Sequence, residues 1–301
     1  MNFSSASNRI ANHPFRDTGY LIVIHSSALV ISPIVLAYAI DPISVSFWRC
    51  LIAGIFFLPL ALLTQPKFYR KISRKQLGLM VIAGVALAIH LITYMEGLYQ
   101  VSLAVFYTIM STGTIWVGLL SLIIFKQMLT PGQWAGLMAG FGGIVIYAYV
   151  GNSFEAKNLG SLLLLVIAAI TFALYMIIGQ QVRSTVTNFA YVSVVFTIAS
   201  LAALGYAAII GYSVIVDTQR EWIGILLITL FGQIVVHAMS NLYLKHGQAA
   251  ILQLTGLIKI PIIALIGWLL FQQQVSLAVI PALLLTITGL VIYNLAQPKS
   301  N

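Results

Sequence analysis

Polar residues are confined along this chain to short breaks between long apolar runs. The runs lie at about Gly19–Ala39, Ile43–Leu63, Gln76–Glu96, Val101–Ile123, Gly132–Val150, Gly160–Gly179, Ala190–Gly211, Trp222–Leu242, Ala249–Leu270 and Ser276–Leu295. Each is close to the ~20 residues that cross a hydrocarbon core as a helix. A spanning backbone must satisfy its own hydrogen bonds, and runs this long, rich in Leu, Ile and Ala, do so as helices rather than barrel strands. The pattern predicts an all-α integral membrane protein of ten transmembrane helices, called spans 1 to 10 below.

The apolar pattern also repeats. His90 through Gln127 aligns without a gap on His237 through Gln274, matching Thr108 with Thr255, Ile115 with Ile262 and Leu122 with Leu269. Gly143 to Tyr147 returns, one residue out of step, at Gly289 to Tyr293. Five spans per half is an odd number, so the second half enters from the opposite side and the repeat is inverted. That is the usual architecture of secondary transporters. The expected organisation is a tail at 1–18, a first five-helix repeat at 19–150, an external linker at 151–159, a second repeat at 160–295 and a tail at 296–301.

Composition agrees: 60% of the 301 residues are hydrophobic and 7% charged, far too little polar surface for a soluble globule. Arg9 and Arg16 precede span 1, but that run is too long for a signal peptide and lacks a small-residue cleavage site. The single cysteine, Cys50, is expected to be a packing residue.

In a soluble protein the net charge of +9 would suggest nucleic acid. With alternating spans it becomes topology instead. Arg9, Arg16, Lys67, Arg70, Lys71, Arg74, Lys75, Lys126, Arg183, Lys245 and Lys299 fall on one side, and only Lys157 and Arg220 on the other. The positive-inside rule places both termini and the basic Gln65–Lys75 loop in the cytoplasm. The loop is expected to lie near anionic lipid headgroups, and nucleic acid is not expected as a partner.

Several stretches resemble the drug/metabolite transporter superfamily, in particular its ten-helix EamA-type bacterial branch. They are the turn Asp41-Pro42 with Ser46-Phe47-Trp48-Arg49 entering span 2, the turn Tyr99-Gln100-Val101-Ser102-Leu103-Ala104, and its counterpart His246-Gly247-Gln248-Ala249-Ala250. Pro261 and the glycine-rich spans 5 and 10 also fit. The resemblance covers nearly the whole chain and implies a metabolite transporter of the inner membrane whose path is lined by spans 1, 3, 4, 6, 8 and 9. The chain departs from the family where acidic residues are common. It has Lys126 and Gln272-Gln273-Gln274 after spans 4 and 9, and Lys259-Ile260 before Pro261. Those departures bear on substrate rather than fold.

Two cations lie inside spans. Lys259, ten residues into span 9, is ~15 Å deep and so close to the midplane of a ~30 Å core. A lysine there calls for a hydrated cavity or an anionic partner. Its repeat-related position carries Thr112. Lys259 is expected to contact a substrate's anionic group, such as the carboxylate of an amino acid; the alternative is an internal counter-ion serving a neutral or cationic solute. Arg49, ~9 Å into span 2, suits bidentate binding of a carboxylate; Glu96 is its expected partner in a structural or gating pair, the alternatives being direct contact with a substrate and snorkelling to the interface.

Polar residues elsewhere complete the candidate set. His90 and His237 are repeat-related, expected at mirrored depths as gates, and able to carry protons near neutral pH. Tyr94 and Asn241 each follow by four residues on the same helix face. His25 is a weaker coupling candidate. Gln253, Trp116 and Tyr175 could line a substrate cavity. Each of these groups also has a plain reading as interhelical hydrogen bonding or packing. Gly136, Gly140, Gly142 and Gly143 suit a close contact of spans 5 and 10, static or between two copies in a homodimer.

Other chemistries find little support. No Gly-x-x-x-x-Gly-Lys-Ser/Thr loop is present to bind ATP, and no metal-ligand spacing stands out. No cofactor is expected. An intramembrane enzyme using His90 with Glu96 is disfavoured because their six-residue spacing puts them on different helix faces. A channel is disfavoured because one lysine breaks the symmetry of the lining.

Overall fold

The computed structural model describes residues 14–125, 129–150, 156–247, 249–256, 259–272, 277 and 280–296. The expected tails fall largely outside these residues, as do the core of the linker, His13, Lys126, Gln273 and Gln274. Among the described residues all regular structure is helical. The helices are α1 (Pro14–Tyr38), α2 (Pro42–Thr64), the short α3 (Phe68–Lys71), α4 (Arg74–Leu98), α5 (Leu103–Ser111), α6 (Gly113–Phe125), α7 (Pro131–Val150), α8 (Ala156–Arg183) and α9 (Asn188–Ile209). There follow α10 (Gln219–Ile228), a π-helical segment (Thr229–His237), α11 (Ala238–Tyr243), α12 (Ala249–Thr255), α13 (Lys259–Phe271) and α14 (Ile280–Leu295). Helix thus occupies part of every predicted span. Among the described residues, seven helical stretches are long and apolar enough to cross a membrane.

Helix starts are set by local side chains. The Asp41 carboxylate accepts the Ser44 backbone N–H at 2.7 Å, and Pro42 supplies a preset first helical residue. Ser73 with Gln76 closes a reciprocal cap at α4: the Gln76 Oε1 accepts from the Ser73 N–H at 2.8 Å and the Ser73 hydroxyl accepts from the Gln76 N–H at 3.2 Å. Thr130 and Gln133 repeat the device at α7. Large apolar side chains such as Leu63 (77% exposed) and Ile209 (85%) face outward. In a soluble protein they would drive aggregation; against lipid acyl chains they are in their own solvent.

The chain forms two compact units, and these do not follow the repeats. One contains α1, α2, α3 and α4 through Met95, with α8 from Leu174 onward, α9, α10, the π segment and α11. The other contains the end of α4, α5, α6, α7 and α8 through Ala173, with α12, α13 and α14. Each therefore joins pieces of both halves, and neither half is a compact body by itself.

Within each unit a repeat-related helix pair forms the closest packing. In the first, α2 lies on α9, where a Cβ on Gly54 would meet Thr197 Oγ1 at 2.9 Å and the Phe57 ring stacks on Phe189 at 5.9 Å. In the second, α7 lies on α14. A Cβ on Gly136 would meet the Gly289 carbonyl oxygen at 2.6 Å, and one on Gly143 would meet the Thr286 nitrogen at 2.6 Å. Glycine here permits backbone-to-backbone approach, the main source of helix cohesion where no hydrophobic effect operates between helices. The close contact of spans 5 and 10 is thus made within the chain.

Candidate functional site

Two polar clusters stand out, one in each unit, and both are built on departures from regular α-helix.

In the unit of α5–α7 and α12–α14, span 4 is interrupted. It breaks at Thr112, between α5 and α6, while in span 9 α12 covers Ala249–Thr255 and α13 covers Lys259–Phe271. Local sequence accounts for the break. In Ser111-Thr112-Gly113-Thr114, the Ser111 hydroxyl donates to the Tyr107 carbonyl at 2.6 Å and the Thr112 hydroxyl to the Ile109 carbonyl at 2.7 Å. Such back-bonding bends a helix, and glycine next in line lowers its resistance. Span 9 has a related feature: the Thr255 hydroxyl donates to the Ile251 carbonyl at 2.9 Å, ahead of Gly256, where the winding tightens from α to 3₁₀.

Spans 4 and 9 pack on each other half against half. α5 lies on α13, and α12 lies on α6. Around this crossing gather four of the expected substrate residues. The Trp116 indole N–H donates to the Thr112 hydroxyl at 3.0 Å. Gln253 lies against Gly113, where a Cβ would meet its Nε2 at 2.8 Å, and that buried amide nitrogen has no hydrogen-bond partner among the described residues. Lys259 opens α13 with its ammonium 5.9 Å from the centroid of the Tyr107 ring. Such a contact compensates a desolvated cation only in part.

In the other unit, His90, His237, Tyr94, Tyr175, Asn241 and Arg49 form a second cluster. The His90 and His237 rings meet at 6.2 Å between centroids, Tyr94 adjoins His90 at 5.4 Å, and Tyr175 adjoins His237 at 5.7 Å. The Asn241 amide donates to the Tyr175 hydroxyl and, at 2.7 Å, to the His237 carbonyl. His25 is buried on α1, which packs along the π segment.

The two histidines, expected at separated, mirrored depths, therefore meet. Span 8 is π-helical for nine residues, ending at His237, so a uniform α rise does not hold along it. Long π runs are rare, and nothing in the sequence pointed to this one.

Arg49 is buried with 1% of its surface exposed, which excludes snorkelling in this bundle. Its Nε–H donates to Gln233 Oε1 at 3.0 Å, and its Nη2 lies against Gly232, where a Cβ would stand 2.7 Å away. Both partners belong to the π segment. Glu96, the expected partner, lies in the half-buried end of α4 that belongs to the other unit. Within its own unit, and among the described residues, Arg49 has no carboxylate within ion-pair distance. By sequence Gln233 reads either as a hydrogen-bonding group for a substrate or as interhelical glue; its pairing with Arg49 carries no sequence signal.

The substrate candidates thus divide: Lys259, Thr112, Gln253 and Trp116 gather in one unit, whereas Tyr94, Tyr175 and Asn241 join the histidines in the other. Among the described residues no group of three metal-ligating side chains occurs.

Comparison with known proteins places this architecture. No curated protein matches the chain. Among solved structures, one described only as "Crystal structure of protein" superposes with a TM-score of 0.65 at 17% identity, over 92% of this chain and 98% of that one. At that identity the likeness concerns the fold. Residues 20–149 and 159–295 each match the model of the EamA-like transporter family, so both halves carry the family pattern. This is a multi-pass membrane protein of the EamA-like transporter family, within the drug/metabolite transporter superfamily.

Proposed function

We propose that the protein is a secondary active transporter that moves a small organic metabolite, preferably one bearing a carboxylate, by alternating access. Ten spans in two inverted repeats would present the path, with both termini cytoplasmic and the chain in the inner membrane. The observation that carries the substrate class is Lys259, beside the crossing of spans 4 and 9 and close to the interruption of span 4. An interrupted helix with its free ends near a solute is the common device of such carriers. A lysine within a membrane span calls for an anionic partner, and a carboxylate-bearing solute supplies one. Thr112, Trp116 and Gln253 supply a hydroxyl, an indole and an amide for orientation.

A second reading has Lys259 as an internal counter-ion for export of a neutral or cationic solute. Its position over the Tyr107 ring favours that reading. Counterflow in proteoliposomes separates the two. Lys259→Ala should abolish uptake of carboxylates in a protein that remains folded, and Lys259→Arg should restore part of it. Undiminished carboxylate counterflow in the alanine variant would overturn the anion reading in favour of the second.

A further inference from the structure

We propose that Arg49 and Gln233 form a seat for an oxyanion, the carboxylate of a transported solute. The identity of the ligand as a solute rests on the carrier reading; the seat itself rests on the geometry. A guanidinium has five N–H donors. Arg49 commits one, on Nε, to Gln233 Oε1, and no described residue accepts from its two terminal nitrogens. Because Arg49 is a donor only, the Gln233 oxygen must face it, which fixes the amide with its nitrogen turned away. That Nε2 is buried and has no partner among the described residues. An unsatisfied buried amide nitrogen therefore stands beside a guanidinium whose terminal nitrogens have no acceptor among the described residues.

Buried polar groups are nearly always hydrogen-bonded, and a buried charge without an anion is costlier still. The arrangement is also constructed. Gly232 removes the side chain that would crowd Nη2, and the π winding of Thr229–His237 brings Gly232 and Gln233 together to Arg49. π turns inside α-helices recur at functional sites. A planar fork with an amide beside it suits the two oxygens of a carboxylate, bound in parallel, better than a spherical ion.

The test uses the purified full chain in lipid nanodiscs and follows thermal unfolding in sodium acetate, sodium succinate, sodium phosphate and sodium chloride at matched ionic strength. The expected result is a saturable rise of the midpoint with a carboxylate and none with chloride, with half-saturation moved at least tenfold higher in Arg49→Lys. Gln233→Glu would supply the fork with the protein's own carboxylate. It should unfold at a higher temperature than the parent and lose the response to added carboxylate.

An equal response to chloride or to phosphate would assign the seat to a free inorganic anion and overturn the proposal. So would an unchanged carboxylate response in both variants, or no response in the parent. A response lost in Lys259→Ala but kept in Arg49→Lys would also overturn it. A carboxylate response in the parent without any counterflow would overturn the carrier reading while supporting the seat.

Discussion

The imidazoles of His90 and His237 approach edge to face, 6.2 Å between centroids and 64° between planes, joining α4 to the π segment. Groups in contact couple energetically by ~0.5–3 kcal/mol. His90→Gln and His237→Gln should each slow counterflow, and the double variant should be less impaired than the product of the single effects requires. Strict additivity in that double-mutant cycle would show that the two rings act independently.

Gly113 marks the contact between spans 4 and 9. A Cβ there would stand 2.8 Å from Gln253 Nε2, so Gly113→Ala should push the amide aside. The expected effect is a several-fold rise in the solute concentration for half-maximal counterflow with the folded protein retained. Gly142→Ala, which meets nothing within 4 Å, is the matched control. Equal effects from the two substitutions would remove Gln253 from the substrate site.

Gly289 and Gly136 hold α7 and α14 at backbone contact. Gly289→Ala should lower stability by ~1–3 kcal/mol, the usual cost of overpacking, seen as a lower unfolding midpoint in detergent. Gly205→Ala, in open space on α9, should change it little. A Gly289→Ala variant as stable as the parent would mean that the helices part at no cost.

Arg183 is buried at the end of α8, where its Nε–H donates to the Asn241 carbonyl at 3.0 Å and its Nη1 to the Val186 carbonyl. Hydrogen bonds from a charged donor contribute ~1.5–3 kcal/mol each. Arg183→Gln should therefore destabilise the chain more than Arg70→Gln on the exposed α3, as thermal unfolding of the two can establish.

His246, in the turn after α11, titrates below the usual histidine range. Partial burial is the main cause, with Arg16, Lys245 and Arg183 adding repulsion that Asp17 partly offsets. A histidine whose folded value is depressed binds fewer protons folded than unfolded, so stability rises with pH through this window. Stability should be undiminished above pH ~6.5, the unfolded value, and decline as pH falls below it. His246→Gln should flatten the slope; an unaltered pH profile would dismiss the residue as its source.

What was legible in the sequence was the part carried by apolar run length and by the repeat. The helical spans and the correspondence of His90 with His237 follow from these, but not the contact between the two rings. The interruption at Thr112 was also within reach, because Ser111-Thr112-Gly113-Thr114 is a run of back-bonding hydroxyls around a glycine. The partner of Arg49 was not. Charge logic sought a carboxylate and settled on Glu96, whereas the geometry uses the neutral amide of Gln233. Nor does hydropathy say which helix packs on which, so the mixing of the two halves in each compact unit had no signal. The π winding of span 8 was invisible for a related reason: it depends on which carbonyl each N–H selects, a choice set by packing rather than by composition.

That winding has a mechanical meaning. In a π turn each N–H reaches back five residues instead of four, as the Ala238 N–H does to the Gln233 carbonyl. One residue more is therefore held per turn than an α-helix of the same length would accept. Returning the segment to α winding by one step would rotate everything beyond it by ~100° about the helix axis. His237 and Asn241 would swing away from Tyr175 together. The hydrogen bond from the Arg49 guanidinium to Gln233, inside the segment, ties the present winding to α2.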